Sequence, residues 1–403
     1  MNYQKTVEWM FAQLPMYQQK GASALNNKLD NIKDFARYLD HPEKKFKSIH
    51  VAGTNGKGSS CHMLASVLQE AGYNVGLYTS PHLRDFRERI KINGKKIKKK
   101  AVTSFVGNHM GFLEYHHLSF FEMTVGMAFD HFAKMEVDIA IIEVGLGGRL
   151  DSTNIITPEV SLITNIGYDH MQMLGNTLEK IAMEKAGIIK RGVPVVISER
   201  QSETEMIFKL LAHQKKSKIV FADDFEHNVY KTDLIGNYQK KNIKGVLGCL
   251  KELKEFDISE KSLKKGLKNI VGNTGLLGRW QVLATKPLTI CDTAHNKEGL
   301  TLVLDQLSKK RYAKLHMVLG FVNDKDLGKL LPLFPENAKY YFVKPNVPRG
   351  FDAKKLQVLA ANYGLKGTIH NTVKRGFKKA KHAAKKEDLI YVGGSTFVVA
   401  EVV

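Results

Sequence analysis

Cysteine is scarce in this chain. Its 403 residues include three, Cys61, Cys249 and Cys291, with no CxxC and no Cys/His spacing of a zinc site. The scarcity excludes a disulfide framework and a structural zinc, and it fits a reducing compartment, so a cytoplasmic protein is expected. Long apolar runs are absent too: nothing approaches the roughly 18 residues that a membrane span requires. The opening stretch, MNYQKTVEWMFAQLPMY, carries Glu8 among its apolar residues and has no small-residue cleavage site, so neither export nor membrane insertion is expected. Acid is the third shortage. Against 61 Lys+Arg stand 40 Asp+Glu, a formal net charge of +21. Such an excess favours nucleic acid, acidic membrane surfaces or anionic small molecules, and composition does not choose among them. Apolar residues, by contrast, make up 43% of the chain, enough for real cores and too many for a disordered one. At about 100–200 residues per domain, the length suggests two or three domains.

The apolar residues fall into short β-branched runs separated by helical patterns. KSIHVAG (47–53), NVGLYTS (74–80), VDIAIIEVG (137–145), EVSLITNIG (159–167) and VPVVISE (193–199) read as strands. Helices are expected at 61–71, 120–134 and 177–189, and the alternation predicts a mostly parallel sheet covered on both faces. Between 223 and 275 two helical stretches stand out, NYQKKNIKGVLGCLKELKEF and KSLKKGLKNI. Glycine density then rises at GNTGLLGR (272–279), which reads as a linker with Gly272, Gly275 and Gly278 as hinge candidates. Beyond it the alternation restarts with PLTICDTAH, LHMVLGF, YYFVKP and LIYVGGS as strands, and helices at 299–309, near 325–333 and from 352. The fold class predicted is α/β: a P-loop-type ATPase domain, 1–276, followed by a smaller Rossmann-like domain, 277–403. The lysine clusters 95–100 and 374–386 read as solvated surface.

Between the first strand and its helix lies Gly53-Thr54-Asn55-Gly56-Lys57-Gly58-Ser59. A glycine-rich loop that leaves a buried strand and opens a helix presents backbone N–H groups and the positive end of the helix dipole to phosphate oxygens. Lys57 would reach the β/γ oxygens, and Ser59 or Ser60 could approach a magnesium ion. The spacing departs from G-x-x-x-x-G-K-[ST], because Gly58 follows Lys57 directly.

GTNGKGS in this form resembles the ATP-dependent amide ligases related to the muramyl ligases. Further blocks narrow the resemblance to folylpolyglutamate synthase/dihydrofolate synthase: YTSPHL (78–83), ERI (88–90), EVGLGGRLDSTN (143–154), DH (169–170), EKAGI (184–188), GRWQ (278–281), DTAHN (292–296) and DKD (324–326). They run in order from about residue 49 to the end. The resemblance implies ligation of L-glutamate to dihydropteroate, to reduced folates or to both, with ATP as co-substrate and an acyl phosphate as intermediate. Both steps concentrate negative charge, so metal ions and fixed cations should carry the catalysis rather than a covalent nucleophile.

Residue by residue, the resemblance makes Ser80, Glu143 and His170 ligands of two magnesium ions, with manganese as a possible substitute. Strand-end positions suit Ser80 and Glu143 independently, since ligands of open α/β sheets gather at the carboxyl ends of strands. Lys185 matches the family's carbamylated lysine, and Lys57, Glu143, His170 and Lys185 form the expected catalytic set. Thr54, Asn55, Gly56, Lys57, Gly58, Ser59, Asn242, Arg279, Asp292 and His295 are the expected ATP contacts, with the nucleotide held between domains that close over it. Phe121, Glu122 and Leu150 are the expected pterin contacts, and a loop near 23–27 falls where bifunctional members bind dihydropteroate. The chain departs from the family pattern at Tyr238 and Gln239 in G-H-N-x-x-N, at Leu277 before GR, and at Thr293 in D-G-A-H-N.

Two other readings compete. A muramyl-type ligase fits less well, because of SPHL, ERI, the FFE segment at 120–122 and a loop that begins by residue 53. A basic, ATP-switched nucleic-acid binder would interleave aromatics with its lysines; 95–100 has none, and 374–386 has only Phe377. A monomer that binds neither nucleic acid nor membrane is therefore expected. Residues 277–403 hold 22 Lys+Arg against 10 Asp+Glu, so +12 of the charge sits in the smaller domain. MgATP, glutamate and a polyglutamate tail are all anions, so this excess reads as steering for polyanionic small molecules.

Overall fold

All nine β-branched runs form strands, and with five further strands that the pattern did not mark they make two sheets in a computed structural model describing residues 1–13, 29–225 and 228–403. The first contains β1 (Lys47–Ala52), β2 (Val75–Tyr78), β3 (Ile90–Ile92), β4 (Lys95–Lys96), β5 (Ile139–Glu143), β6 (Val160–Ile163), β7 (Val195–Ile197) and β8 (Ile219–Phe221). Their order is β4-β3-β2-β5-β1-β6-β7-β8, parallel except at the β3–β4 hairpin edge. The second holds β9 (Gln281–Thr285), β10 (Leu288–Cys291), β11 (Leu315–Leu319), β12 (Lys339–Val343), β13 (Gly367–His370) and β14 (Leu389–Gly393) in the order β13-β12-β11-β14-β10-β9. Only β9 runs antiparallel there.

Chain contacts divide the molecule into one unit of residues 1–233 and 239–275 and another of residues 234–238 and 276–403. The five residues 234–238 thus belong with the second sheet. Gly272, expected in a linker, lies inside a short helix, Ile270–Thr274, which Gly275 ends in the left-handed conformation at φ 66°.

The helix after the glycine loop runs Lys57–Glu70, four residues earlier than its apolar pattern suggested, and every residue from Ser59 to Leu68 is buried. It has little amphipathic contrast because both sides are covered, by the sheet and by the helices Gln239–Glu252, Glu260–Lys268 and Ile270–Thr274. Ser66 Oγ donates to Gly266 O at 2.6 Å, and a Cβ on Gly266 would lie 2.5 Å from Val67 Cα, so glycine permits that close packing. Helix Phe120–Lys134 begins with a capping box: Ser119 Oγ accepts from Glu122 N, and the Glu122 carboxylate accepts from Ser119 N.

The second sheet is covered on one face by helices Lys297–Ser308 and Ala353–Ala361, and on the other by Val373–Ala383 and Thr396–Ala400. Helix Val373–Ala383 was read from sequence only as a charge cluster. Three small residues, Val373, Gly376 and Ala380, are all it buries, a pattern that its charges obscure.

Candidate active site

Register places the candidate residues at one end of the first sheet. Val51 of β1 pairs with Glu143, the last residue of β5, and Tyr78 of β2 pairs with Ile142. The loop after β1, the Ser80 turn after β2 and the Glu143 carboxylate are therefore neighbours at the carboxyl edge.

The loop is shaped by what surrounds two of its glycines. Gly53 has φ 146°, and a Cβ there would fall 1.8 Å from Thr164 Oγ1; Gly56 has φ 87°, and a Cβ would fall 2.2 Å from Asn242 Oδ1. Side chains after β6 hold the rest: Asn165 Oδ1 accepts from Asn55 N at 2.9 Å, and Thr54 N donates to Asn165 O at 2.9 Å. Thr54 Oγ1 accepts from Gly167 N at 2.9 Å, and Thr164 Oγ1 donates to Asn55 O at 2.6 Å. These four bonds fasten the loop to the segment after β6.

Two lysines converge on one carbonyl. Lys57 Nζ donates to Gly53 O at 2.9 Å and to Thr54 O at 3.2 Å, and Lys185 Nζ donates to the same Gly53 O at 2.9 Å. Lys185 is 4% exposed, and burial, reinforced by the Lys57 charge, holds its ammonium down at about 7. A lysine near neutrality is a nucleophilic amine at ordinary pH. Its helix, Leu178–Ala186, is fastened to the loop after β5: Arg149 N donates to Glu184 O at 2.8 Å, and a Cβ on Gly148 would lie 2.8 Å from Lys185 O.

Glu143 is 4% exposed, and its Oε2 accepts from Ser80 N at 3.0 Å. A buried carboxylate fastened to the backbone of a serine brings hard oxygen donors to one strand end, which suits magnesium or manganese with remaining ligands from water and phosphate. His170 caps the short helix Met171–Leu174 at φ 51°, with its Nε2 3.8 Å from Asp169 Oδ2. Among the described residues no three His, Cys, Asp or Glu side chains form a metal-ligating group, so His170 and Glu143 are not joined in one.

Ser59 and Ser60, both buried, are turned into the helix packing. Ser59 Oγ accepts from Gln239 Nε2 at 3.2 Å, and Gln239 Oε1 accepts from Asn242 Nδ2 at 2.8 Å, which leaves Asn242 Oδ1 against Gly56.

On the expected pterin side, Phe121 is half-buried with its ring where a Cβ on Gly145 would be, 2.4 Å away, and Leu150 is half-buried in the same loop. Glu122 caps its own helix. Residues 23–27 lie outside the described residues. The Gly145–Leu146 backbone is held by buried Asp151, which accepts from Leu146 N at 2.8 Å and from Thr153 N at 3.0 Å. Behind it, His50 Nε2 lies 2.9 Å from Thr153 Oγ1, and burial keeps that imidazole neutral, at about 3.

In the second unit the residues after β10 gather round Asp292. Its carboxylate accepts from Tyr238 Oη at 2.6 Å, Trp280 N at 2.6 Å and Ala294 N at 2.8 Å, while burial pushes its acidity in the neutral direction. Thr293 N donates to Gly278 O at 3.0 Å, and Thr293 Oγ1 accepts from Arg279 Nη1. His295 Nδ1 lies 2.9 Å from Thr293 O. Arg279, Asp292 and His295 are thus one cluster.

Two family models match: the Mur ligase middle domain over residues 51–282 and the Mur ligase glutamate ligase domain over residues 278–396. The chain is 34% identical to the dihydrofolate synthase/folylpolyglutamate synthase of Bacillus subtilis, covering 88% of both proteins. It is 30% identical to a probable bifunctional folylpolyglutamate synthase/dihydropteroate synthase of Haloferax volcanii, of which it spans 50%. A solved Yersinia pestis bifunctional folylpolyglutamate synthase/dihydrofolate synthase with AMPPNP and manganese superposes with a TM-score of 0.84 at 28% identity, over 98% of this chain and 97% of that one. The chain belongs to the folylpolyglutamate/dihydrofolate synthase branch of the Mur ligases. In this Mur ligase, three departures from the expected motifs are where bonds are made: Gln239 ties Asn242 to Ser59, Tyr238 donates to Asp292, and Thr293 accepts from Arg279. Gln239 stood out in the sequence only as a departure and Thr164 not at all; their role follows from contacts across the fold.

Proposed function

We propose that this chain is an ATP-dependent ligase that joins the amine of L-glutamate to the carboxylate of dihydropteroate, to the γ-carboxylate of reduced folates, or to both. The observation that carries the reading is the convergence of Lys57 and Lys185 on Gly53 O beside the Ser80–Glu143 pair. Family membership and the Mur ligase glutamate ligase domain support it.

The acceptor carboxylate attacks the γ-phosphorus of ATP and ADP leaves. The glutamate amine then adds to the acyl phosphate carbonyl, loses a proton, and expels inorganic phosphate as the amide forms. Loop N–H groups from Gly56 to Ser59 and the Lys57 ammonium would hold the phosphates, with Thr54 and Asn55 fixing the loop beside them and Lys57 exchanging the Gly53 and Thr54 carbonyls for phosphate oxygens. Ser80 and Glu143 would hold one divalent ion and His170 a second, with magnesium the usual ion and manganese an alternative. Bound there, the ions would neutralise charge building on the transferring phosphoryl group.

Lys185 in its neutral form would add to CO2, giving a carbamate and releasing a proton. A cation paired against Lys57 thereby becomes an anion paired with it, which relieves the repulsion between the two lysines. Asn242, Arg279, Asp292 and His295 complete the nucleotide contacts in this reading, and Phe121, Glu122 and Leu150 the pterin contacts, Glu122 through its cap.

No helix among the described residues is long and apolar enough to cross a membrane. A cytoplasmic monomer that binds no nucleic acid belongs to the same reading. Purified protein with MgATP and radiolabelled L-glutamate, given dihydropteroate and tetrahydrofolate separately, tests the function. Label in product is expected with at least one acceptor, and none with either would overturn it.

A further inference from the structure

Helix Val373–Ala383 carries charge in an arrangement that weakens it. Lys374, Arg375, Lys378, Lys379 and Lys381 are all exposed, Lys385 and Lys386 follow at once, and no acidic residue occurs from 371 to 386. Lys374 faces Lys378 and Arg375 faces Lys379 at i,i+4, where like charges destabilise a helix. Lys374 and Arg375 also sit in the first turn, where the helix dipole disfavours cations. Among the described residues none of these seven has an ion-pair partner; Lys381 lies over the Phe377 ring at 5.5 Å. Acid returns only after the run, at Glu387 and Asp388, and Asp388 is buried with its Oδ2 3.2 Å from His316 Nε2.

The helix is also a rigid platform. Val373, Gly376 and Ala380 are buried against the sheet, and a Cβ on Gly376 would lie 2.4 Å from Val343 Cγ1. Its apolar side is therefore used up, which removes the feature by which basic amphipathic helices enter membranes. Phe377 is half-buried in the same core, so the cationic side lacks an exposed aromatic for base stacking.

We propose that this face binds the γ-linked polyglutamate tail of the folate acceptor; the proposal rests on the polyglutamylating activity above. The cations form three rungs within the helix, at 374/375, 378/379 and 381, and a fourth just beyond it at 385/386. The three rungs within the helix are about one turn, ~5.4 Å, apart. An α-linked chain extends by up to ~3.6 Å per residue over three backbone bonds. A γ-linked unit has five, so its α-carboxylates recur roughly every 6 Å, close to the rung spacing. The row starts at Thr372, which follows β13 at the carboxyl edge of the second sheet, the edge that also carries Asp292–His295.

The test is a triple variant, Lys378→Glu/Lys379→Glu/Lys381→Glu, assayed with monoglutamyl and tetraglutamyl tetrahydrofolate at low and high salt. KM for the tetraglutamyl acceptor should rise on the order of tenfold while the monoglutamyl KM stays within twofold, and salt should mimic the change in the wild type only. Equal shifts for both acceptors, or none, would overturn the proposal. Fluorescent oligo-γ-glutamate binding, read by anisotropy, measures the surface without turnover: a wild-type protein that ligates nothing but binds this probe defeats the functional reading and leaves the surface standing. Stronger competition by single-stranded RNA than by oligo-γ-glutamate would assign the face to nucleic acid and overturn the proposal. If the charge reversal does not fold, Lys378→Gln/Lys379→Gln/Lys381→Gln carries the same comparison with about half the effect.

Discussion

In the first unit, the loop after β1 offers one backbone carbonyl to two lysine side chains, whereas in the second the loop after β10 carries a buried carboxylate that meets three donors. Lys57 and Lys185 have traded little for their position: two backbone carbonyls, Gly53 O and Thr54 O, are poor counterparts to two cations, and the loop that supplies them is also held by Thr164 and Asn165. Asp292 is fully engaged, and removing any donor would leave a buried acceptor short. One region is built to meet an anion that arrives. The other holds its own shape, and Arg279 with it through Thr293.

If that contrast is right, changes in the first unit should abolish turnover and spare stability, and changes round Asp292 should do more to stability. Lys57→Ala should have the largest effect, lowering kcat by about 10²–10³ or more, as loss of a fixed charge from a phosphoryl-transfer site does. Its urea unfolding midpoint should stay near wild type, since Lys57 is only half-buried; a large drop would merge the two regions into one kind.

Lys185→Ala should lose activity by about 10²-fold and recover part of it with added short carboxylates, which a carbamate would resemble. In the wild type at fixed dissolved CO2, carbamate occupancy should rise as pH increases through about 7, because the neutral amine gains population above the value to which burial lowers it. Carbon-13 spectra of enzyme equilibrated with labelled CO2 read this directly, and an occupancy that fell with pH over that range would contradict it.

Tyr238→Phe removes the hydroxyl donor to Asp292 and should cost about 1–3 kcal/mol of stability by denaturant titration, with a smaller effect on kcat. The smallest change expected is Gln239→Ala. It frees the Asn242 amide and should raise the KM for ATP a few-fold with kcat nearly constant; a kcat loss comparable to Lys57→Ala would place Gln239 in the chemistry.

Much of this was legible in the sequence where a residue's chemistry and its position in an element agree. The glycine loop stands between a β-branched run and a helix, and Glu143 ends the strand VDIAIIE, so both could be placed at a strand end before any coordinates. Lys185 was legible only through the motif around it, since an isolated lysine on an amphipathic helix says nothing of burial. Gln239, Thr164 and Thr293 act through partners 180, 109 and 14 residues away, and local pattern does not carry such pairings. Helix Val373–Ala383 went unread because its buried side consists of small residues, and β13 because it is an edge strand with two of its four residues exposed.

The central claim is that the glycine loop and its two lysines serve transfer of a phosphoryl group to a carboxylate, from which glutamate then displaces it. An acceptor whose carboxylate is labelled with heavy oxygen, incubated with enzyme, MgATP and L-glutamate, tests it by mass spectrometry of the released phosphate. One labelled oxygen in phosphate for each amide formed is the predicted result; amide formation with unlabelled phosphate would contradict it.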